Sequence, residues 1–295
     1  MGDKRIIAIG DVMTDIIVVP EGPVVRGSDR RASIRGKPGG SGANQAVWLG
    51  SKGTPVSFVA RVGAADKGHL EAYFKGFHVD PILTADAQQP SGMLVTIVDP
   101  DGERSFLTDR GANLNLSPSD MPAELLGETW MVLISGYSLF EAQPRHAVRW
   151  MISEAKARGV PVAVDAASVS FLVEVGIGNF LEWTKDCSLL FANGDEAEAL
   201  TGTADLEAQM AALGGHFERV VIKRGALGAA IGGRDGVRCS LPALEVAVVD
   251  TTGAGDAFAA GFLSAEYRGE GEAESLAAGI AAAAKAITTV GGQPG

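Results

Sequence analysis

Cysteine is almost missing from this chain of 295 residues: only Cys187 and Cys239 occur. Two cysteines exclude a disulfide framework and a cysteine-rich zinc site, and they suit a reducing compartment. Basic residues are also few, 25 against 36 acids, for a formal charge of −11 and a pI near 4.9. Nucleic acids and anionic membranes recruit proteins through basic faces, so neither is expected as a partner. The local basic spots Arg30–Lys37 and Arg145–Arg149 read as solvated faces. No apolar run approaches the ~18 residues of a membrane span. The opening run Ile6–Gly10 is too short for a signal peptide and is stopped by Asp11, and Ile6 stands where a myristoylation signal needs Ser or Thr. A cytoplasmic protein is expected. His69, His78, His146 and His216 are scattered without metal-ligand spacing.

What the chain has is glycine, 39 residues, about twice the typical ~7% and without a collagen period. Many backbone positions therefore need positive φ or a close neighbour. Hydrophobic residues at 46% and charged residues at 21% place it among globular proteins. Apolar strand-like runs alternate with helical segments. Strands are expected at Arg5–Ile9, Val56–Val62, Trp130–Ser135, Val160–Asp165, Leu189–Ala192, Val220–Lys223 and Gly228–Ile231. Helices are expected at Ser41–Lys52, Ala147–Arg158, Asp195–Leu200, Gly253–Arg268 and Glu272–Val290. Strands separated by helices imply βαβ units and a mainly parallel sheet. Two stretches break that rhythm, Asp15–Ile34 around Pro20-Glu21-Gly22-Pro23 and Gly92–Thr108 around Asp99-Pro100-Asp101-Gly102. Both read as hairpins, either a small lid over a cleft or ordinary edge hairpins. There is no repeat, low-complexity tract or linker.

The segment Asp250-Thr251-Thr252-Gly253-Ala254-Gly255-Asp256-Ala257-Phe258 opens a helical stretch after the apolar run Val246–Val249. A small-residue turn at a helix start offers unpaired N–H groups and the positive end of the dipole, which together make an anion site. A carboxylate there would repel a phosphate, so Asp256 either faces a second reactant and accepts its hydroxyl proton, or simply caps the helix. A second cluster, Gly39-Gly40-Ser41-Gly42-Ala43-Asn44-Gln45-Ala46, precedes another helix. It is either a ligand contact or a close helix–sheet contact. The chain contains no P-loop spacing, and Gly10-Asp11-Val12-Met13 lacks the glycines of a dinucleotide fingerprint, which argues against a nicotinamide oxidoreductase.

Together, Gly39–Ala46 and Asp250–Phe258 resemble, in order and separation, the two signatures of the ribokinase-like (PfkB) carbohydrate kinase family. Asn193-Gly194-Asp195-Glu196 resembles its N-x-x-E motif, Lys223-Arg224-Gly225-Ala226-Leu227-Gly228 its nucleotide-binding glycine turn, and Gly10-Asp11 with Asp15 its first-strand substrate motif. The resemblance spans nearly the whole chain. It implies an α/β three-layer ribokinase-like fold: a central mainly parallel sheet flanked by helices, with a small β-sheet lid. The whole of 1–295 would be one domain with lid segments about 15–34 and 92–108. The implied activity is transfer of the ATP γ-phosphoryl group to a hydroxyl of a sugar or similar polyol, with a nucleoside as the alternative acceptor. Asp256 would be the base, and Gly253, Ala254 and Gly255 the anion hole. Asp15, Gly40 and Asn44 would hold the acceptor, and Lys223, Gly225 and Gly228 would lie beside the nucleotide, although Lys223 also reads as a solvated strand end. Asn193 and Glu196, three apart on a helical turn, would orient Mg²⁺ through water. Asp250 and Thr252 match a site for a monovalent cation such as K⁺. The lid would also allow a homodimer.

Some residues depart from that pattern. In Asp165-Ala166-Ala167, Ala167 replaces the Asn common after this strand, and Ile280 stands where many relatives have a polar residue near adenine, which points to apolar base recognition. Arg110, after the second lid hairpin, would suit an anionic acceptor or else make a surface salt bridge. Tyr137 either stacks on a ligand or belongs to the core. A catalytically idle sugar- or nucleotide-binding regulator is the reading from a different class; the intact Gly253–Asp256 element argues against it.

Overall fold

Strand β1 (Arg5–Ile9) carries four consecutive buried residues, Ile6 to Ile9, the pattern of a strand covered on both faces. The structure, a computed structural model, describes residues 4–98 and 104–294; the turn Asp99-Pro100-Asp101-Gly102 lies outside the described residues. The remaining strands are β2 (Met13–Pro20), β3 (Ala32–Gly39), β4 (Val56–Gly63), β5 (Val79–Asp86), β6 (Gly92–Val98), β7 (Arg104–Asp109), β8 (Thr129–Ser135), β9 (Val162–Asp165), β10 (Leu189–Asn193), β11 (Arg219–Lys223), β12 (Ala229–Gly233) and β13 (Gly236–Leu241). The helices are α1 (Ser41–Ser51), α2 (Lys67–Gly76), α3 (Ala142–Ala157), α4 (Val169–Val175), α5 (Ile177–Trp183), α6 (Gly194–Thr201), α7 (Leu206–Leu213), α8 (Ala254–Tyr267) and α9 (Glu272–Ala286).

Nine strands form one sheet in the order β13-β12-β11-β10-β9-β8-β1-β4-β5. Pairing is parallel from β5 to β11 and antiparallel at β11–β12 and β12–β13. Successive side chains of β1 go to opposite faces. Ile6 and Ala8 pack with residues of α1, α2, α8 and α9, whereas Ile7 and Ile9 pack with residues of α3 to α7. This split makes the three layers. The chain starts at β1, goes outward to β4 and β5, then returns to β8 on the other side of β1. In parallel sheets, ligands bind beyond the strand carboxyl ends where the order reverses. Asp11, Asp165, Asn193 and Lys223 end or follow β1, β9, β10 and β11.

A second sheet has the order β3-β2-β6-β7. β2 and β3 pair antiparallel with Asp15 opposite Lys37, β6 and β7 pair antiparallel, and β2 and β6 pair in parallel. The two expected hairpins thus join into one sheet. Val24-Val25, which follows the turn, lies outside it; β3 begins at Ala32 and runs into the glycine cluster. Helix α9 ends at Ala286 rather than Val290, because two β-branched threonines and Val290 lead into Gly291-Gly292, poor residues for a helix interior. α3 starts earlier than expected, at Ala142, with Pro144 in its first turn, where no N–H is missed. Elements α2, β5, α4, α5, α7 and β13 were not expected from the sequence. Among the described residues no helix is long and apolar enough to cross a membrane.

Candidate active site

The two glycine clusters meet at a carboxylate. Asp256 lies in the first turn of α8, whose N-cap Gly253 has φ 74°, a backbone that other residues adopt at a cost. Its carboxylate accepts from Ser41 Oγ at 2.7 Å and from Asn44 Nδ2 at 2.9 Å, both on α1. The N–H groups of Gly255 and Asp256 find no acceptor among the described residues, while Ala254 N reaches Thr251 O only at 3.3 Å. Two open donors at a helix start form a ready anion hole. Burial pushes the half-buried Asp256 carboxyl up to about 7, against the opposing hydrogen bonds from Ser41 and Asn44. A carboxyl near neutrality is suited to take a proton at working pH. Asp256 does not accept from any helical N–H among the described residues, so its side chain is not the helix cap.

Helix α1 reaches this point because its start is glycine against glycine. A Cβ on Gly42 would lie 2.5 Å from Gly10 Cα, and one on Gly40 (φ 95°) would lie 2.6 Å from Asp11 O. The cluster is therefore a close helix–sheet contact as well as a site wall. Asp11 Oδ1 accepts from Gly42 N at 3.2 Å and from Ser135 Oγ at 3.4 Å.

A cleft of about 880 Å³ lies over the strand ends, lined by Ser41, Tyr137, Asp165, Asn193, Glu196, Lys223 and Gly253–Asp256, with Gly225 and Gly228 at one side. Gly228 (φ 87°) admits the passing chain: a Cβ there would meet Leu241 O at 2.0 Å. The far end is apolar. Ile280, Ala283 and Ile287 of the α9 region face Leu244, Val246 and Val248. The last two are 38% and 61% exposed and belong to no strand.

Lys223 is no solvated strand end. Its side chain is 14% exposed and its Nζ donates to Asp165 Oδ2 at 2.9 Å. Burial alone would lower its pKa, but Asp165, Glu196 and Asp256 hold it above the ordinary lysine value. Asn193 and Glu196 do not share one helical turn as expected. Asn193 is the extended N-cap of α6 and forms a capping box: it accepts from Glu196 N at 2.8 Å, while the Glu196 carboxylate accepts from Asn193 N at 2.7 Å and Nδ2 at 2.8 Å. Glu196 is 3% exposed; burial raises its pKa and Lys223 opposes the rise.

A second cavity of about 630 Å³ lies under the small sheet. Asp15, Ile17 and Lys37 of β2–β3 and Leu94, Thr96 and Val98 of β6 form its roof, and Thr252 with the segment from Thr289 to Pro294 lines it as well. A Cβ on Gly39 would lie 2.1 Å from Asp15 Oδ2, so the carboxylate rests on that glycine. Burial, with Asp11 nearby, raises the Asp15 carboxyl to about 6. Among the described residues Asp15 Oδ1 and Asn44 Oδ1 are buried without a hydrogen-bond donor. Such atoms call for a partner. The C-terminal segment is tied to β3, α1 and α2: Lys37 Nζ donates to Val290 O at 2.8 Å, Trp48 Nε1 to Gly292 O at 2.9 Å, and Tyr73 OH to Gln293 Oε1. Asp250 Oδ1 accepts from Thr252 N and Oγ1, and its Oδ2 from Gly291 N.

Asp256, Lys223, Asn193 and Glu196 thus share the larger cleft, while Asp15 and Thr252 line the smaller cavity and Asn44 bridges to Asp256. Arg110 lines neither. It stacks over Tyr137 at 5.6 Å and donates to that residue's carbonyl at 3.3 Å. Tyr137 is both core and wall: it packs edge-on against Phe140 and Phe171 and also borders the cleft. Ser41 and Asp165 were not assigned from sequence. Asp165 carried a usable signal, an acid ending a buried parallel strand; Ser41 carried none beyond its place in the glycine cluster.

The chain matches the pfkB family carbohydrate kinase profile over residues 3–295. It is 31% identical over 273 residues to the ribokinase of Arabidopsis thaliana, covering 87% of this chain and 68% of that protein. The solved structure of Arabidopsis thaliana ribokinase with ribose and ATP has a TM-score of 0.82 at 26% identity, over 98% of this chain and 94% of the other. The adenosine kinase of Sinorhizobium meliloti shares the fold, with a TM-score of 0.87 at 24% identity over 99% and 96% of the two chains. The chain belongs to the pfkB family of carbohydrate kinases, ATP-dependent enzymes that phosphorylate a hydroxyl group.

Proposed function

We propose that the acceptor is a small sugar or sugar-like molecule seated under the small sheet, and that Asp256 is the base which activates its hydroxyl. The observation that carries this is the Asp256 carboxylate, raised to about 7, beside the open N–H groups of Gly255 and Asp256. In the step, the hydroxyl proton passes to Asp256 and the acceptor oxygen forms a bond to the γ-phosphorus. The bond from that phosphorus to the bridging oxygen breaks, and ADP leaves with the electron pair. Charge growing on the transferred group meets the amides from Gly253 to Asp256 and the α8 dipole. One such donor is worth about 3–4 kcal/mol, and a positioned base about 10²–10⁴-fold.

The unpartnered Asp15 Oδ1 and Asn44 Oδ1 accept from acceptor hydroxyls, with Gly40 allowing close approach. Arg110 lines neither cavity and would reach an anionic substituent of the acceptor only by leaving the Tyr137 ring. Lys223, Gly225 and Gly228 flank the nucleotide, and the apolar slot around Ile280 takes its base. Glu196 and Asn193 bond to one another, and their oxygens would hold Mg²⁺ through water. Among the described residues no three His, Cys or acidic side chains cluster as a metal cage, so phosphates and waters would supply most of its ligands. Magnesium supplies charge neutralisation on the phosphates. The Asp250–Thr252–Gly291 turn is assigned to a monovalent cation, which predicts faster turnover in potassium than in sodium.

The chain from 1 to 295 acts as one domain, with segments 15–34 and 92–108 as a closing lid. Amide exchange in those segments should slow when acceptor and nucleotide are bound. The outer lid face, with Ile34 65% and Leu107 61% exposed, supports pairing of two copies, which sedimentation would detect. The apolar lid residues Ile17, Leu94, Val98 and Phe106 over the cavity favour a nucleoside as second reading. Product analysis with ATP across pentoses, hexoses, sugar acids and nucleosides separates the two, and no phosphorylated product from any of them would reject both.

A further inference from the structure

We infer that Lys223 is a catalytic residue of the transfer step, its ammonium contacting the oxygens of the migrating phosphoryl group, and that Asp165 is the residue that positions it. The inference rests on the proposed transfer at Asp256 and adds to it a cation that the base and the amides do not supply. A lysine ammonium has three N–H donors and no acceptor. Among the described residues one donor is used, by Asp165 Oδ2 at 2.9 Å. A Cβ on Gly255 would lie 3.1 Å from Nζ. The charge therefore stands against the first turn of α8, where the N–H groups of Gly255 and Asp256 are open. A larger residue at position 255 would press on the ammonium.

Alternatives for this lysine are weaker on the same geometry. A lysine serving the adenine or ribose would project toward Leu244, Val246 and Ile280, at the apolar end of the cleft. Neutralising Asp165, Glu196 and Asp256 accounts for the charge, but not for an ammonium with two donors unused among the described residues, set against the open amides of Gly255 and Asp256. Asp165 fits a positioning role: it is 5% exposed, ends β9 and also accepts from Ala167 N at 3.3 Å. Its carboxylate is thus anchored before it holds the ammonium. During transfer the ammonium neither gains nor loses a proton. It follows the negative charge that moves from the γ-phosphoryl oxygens toward the departing bridge oxygen, the kind of fixed charge that carries phosphoryl transfer.

The test uses the full chain with Lys223→Met, Lys223→Arg, Asp165→Asn and the double variant Lys223→Met/Asp165→Asn. Two readouts are taken: titration calorimetry with ATP, ADP and AMP, and single-turnover transfer to whichever acceptor the wild-type chain uses. Lys223→Met should slow transfer about 100- to 1,000-fold and weaken ATP at least tenfold more than AMP. Lys223→Arg should recover at least tenfold in rate. The double variant has no unpaired buried carboxylate at position 165, so it serves if Lys223→Met does not fold, and it should stay as slow as Lys223→Met. Recovery of the double variant to within threefold of wild type would show that Lys223 only neutralises Asp165. That result overturns the inference, as does equal weakening of ATP and AMP. If the wild-type chain phosphorylates no acceptor, the reading of Asp256 fails instead, and the ATP-to-AMP comparison still decides on Lys223.

Discussion

Exchanging one carboxylate oxygen of Asp256 for an amide nitrogen should remove turnover and make the fold more stable. In the folded chain the carboxyl is raised from 3.8 to about 7, so above neutral pH the ionised group opposes folding. At about 1.4 kcal/mol per tenfold the full cost is about 4 kcal/mol. Solvent reaching a half-buried side chain screens part of it, leaving about 2–4 kcal/mol. Asparagine fits the same contacts. Its oxygen can accept from Asn44 Nδ2, and its amide can donate to Ser41 Oγ, because a hydroxyl turns to accept as readily as it donates.

The pH dependence fixes the sign. Below about pH 4 the aspartate is protonated in both the folded and unfolded chain, and Asp256→Asn should match wild type. As pH rises toward 7 the unfolded chain ionises while the folded one does not, so wild-type stability falls and the gap opens. Above pH 7 it is constant. Urea midpoints at pH 5 and pH 8 measure this directly, with about a third of the full gap present at pH 5. Turnover at pH 8 should fall by about 10²–10⁴-fold. A variant no more stable than wild type at pH 8, or a gap identical at the two pH values, would refute the argument that burial raises this carboxyl.

Three further outcomes follow from the same geometry. Wild-type kcat/KM should rise tenfold per pH unit up to about pH 7 and then level, since the base works only when ionised; initial rates from pH 5 to 9 would reveal a flat profile if Asp256 is not the base. Asn193→Ala breaks the capping box of α6 and should cost about 1–2 kcal/mol in thermal or urea unfolding, whereas a neutral effect would mean that α6 is held by its packing alone. Ala167 sits at φ 73°, where a Cβ costs about 1–2 kcal/mol. Glycine returns roughly 0.5–1 kcal/mol of that as chain entropy, so Ala167→Gly should stabilise by about 0.5–1 kcal/mol, read from the urea midpoint.

The parts of this fold that are legible in the sequence are those whose signal is local. β1 is a run of four apolar residues, and α8 is announced by Gly253 at the left-handed N-cap and by small residues after it. Where burial is sparse the signal fades. Helix α2 buries only Leu70 and Phe74, too little for a readable period, and β13 at the sheet edge has no fully buried residue. The small sheet was legible as two hairpins but not as one sheet, since the parallel β2–β6 pairing joins segments some eighty residues apart and leaves no mark in either. Glycine behaved in the same way. Gly253 and Gly292 could each be read as needing room, yet a Cβ on Gly253 lies 2.3 Å from Gly292 Cα, and neither residue says that the other is its neighbour.

Lys223 marks the boundary of that reasoning. From sequence it had two readings, a solvated end of a strand or a group beside the nucleotide, because a lysine at a strand terminus looks the same in both cases. What decides is the order of strands. Parallel registry sets Lys223 across from Asn193 on the adjacent strand, and Phe191 of that strand across from Asp165. The carboxyl ends of β9, β10 and β11 therefore present an acid, an amide and an amine side by side on one rim. A charge that would be solvated at the edge of a sheet is, two strands inward from β13, enclosed by its neighbours' side chains and by the start of α8. Once water is excluded there, the interaction of that ammonium with any arriving anion strengthens. Position in the sheet, more than residue type, turns this lysine from a surface charge into part of the chemistry.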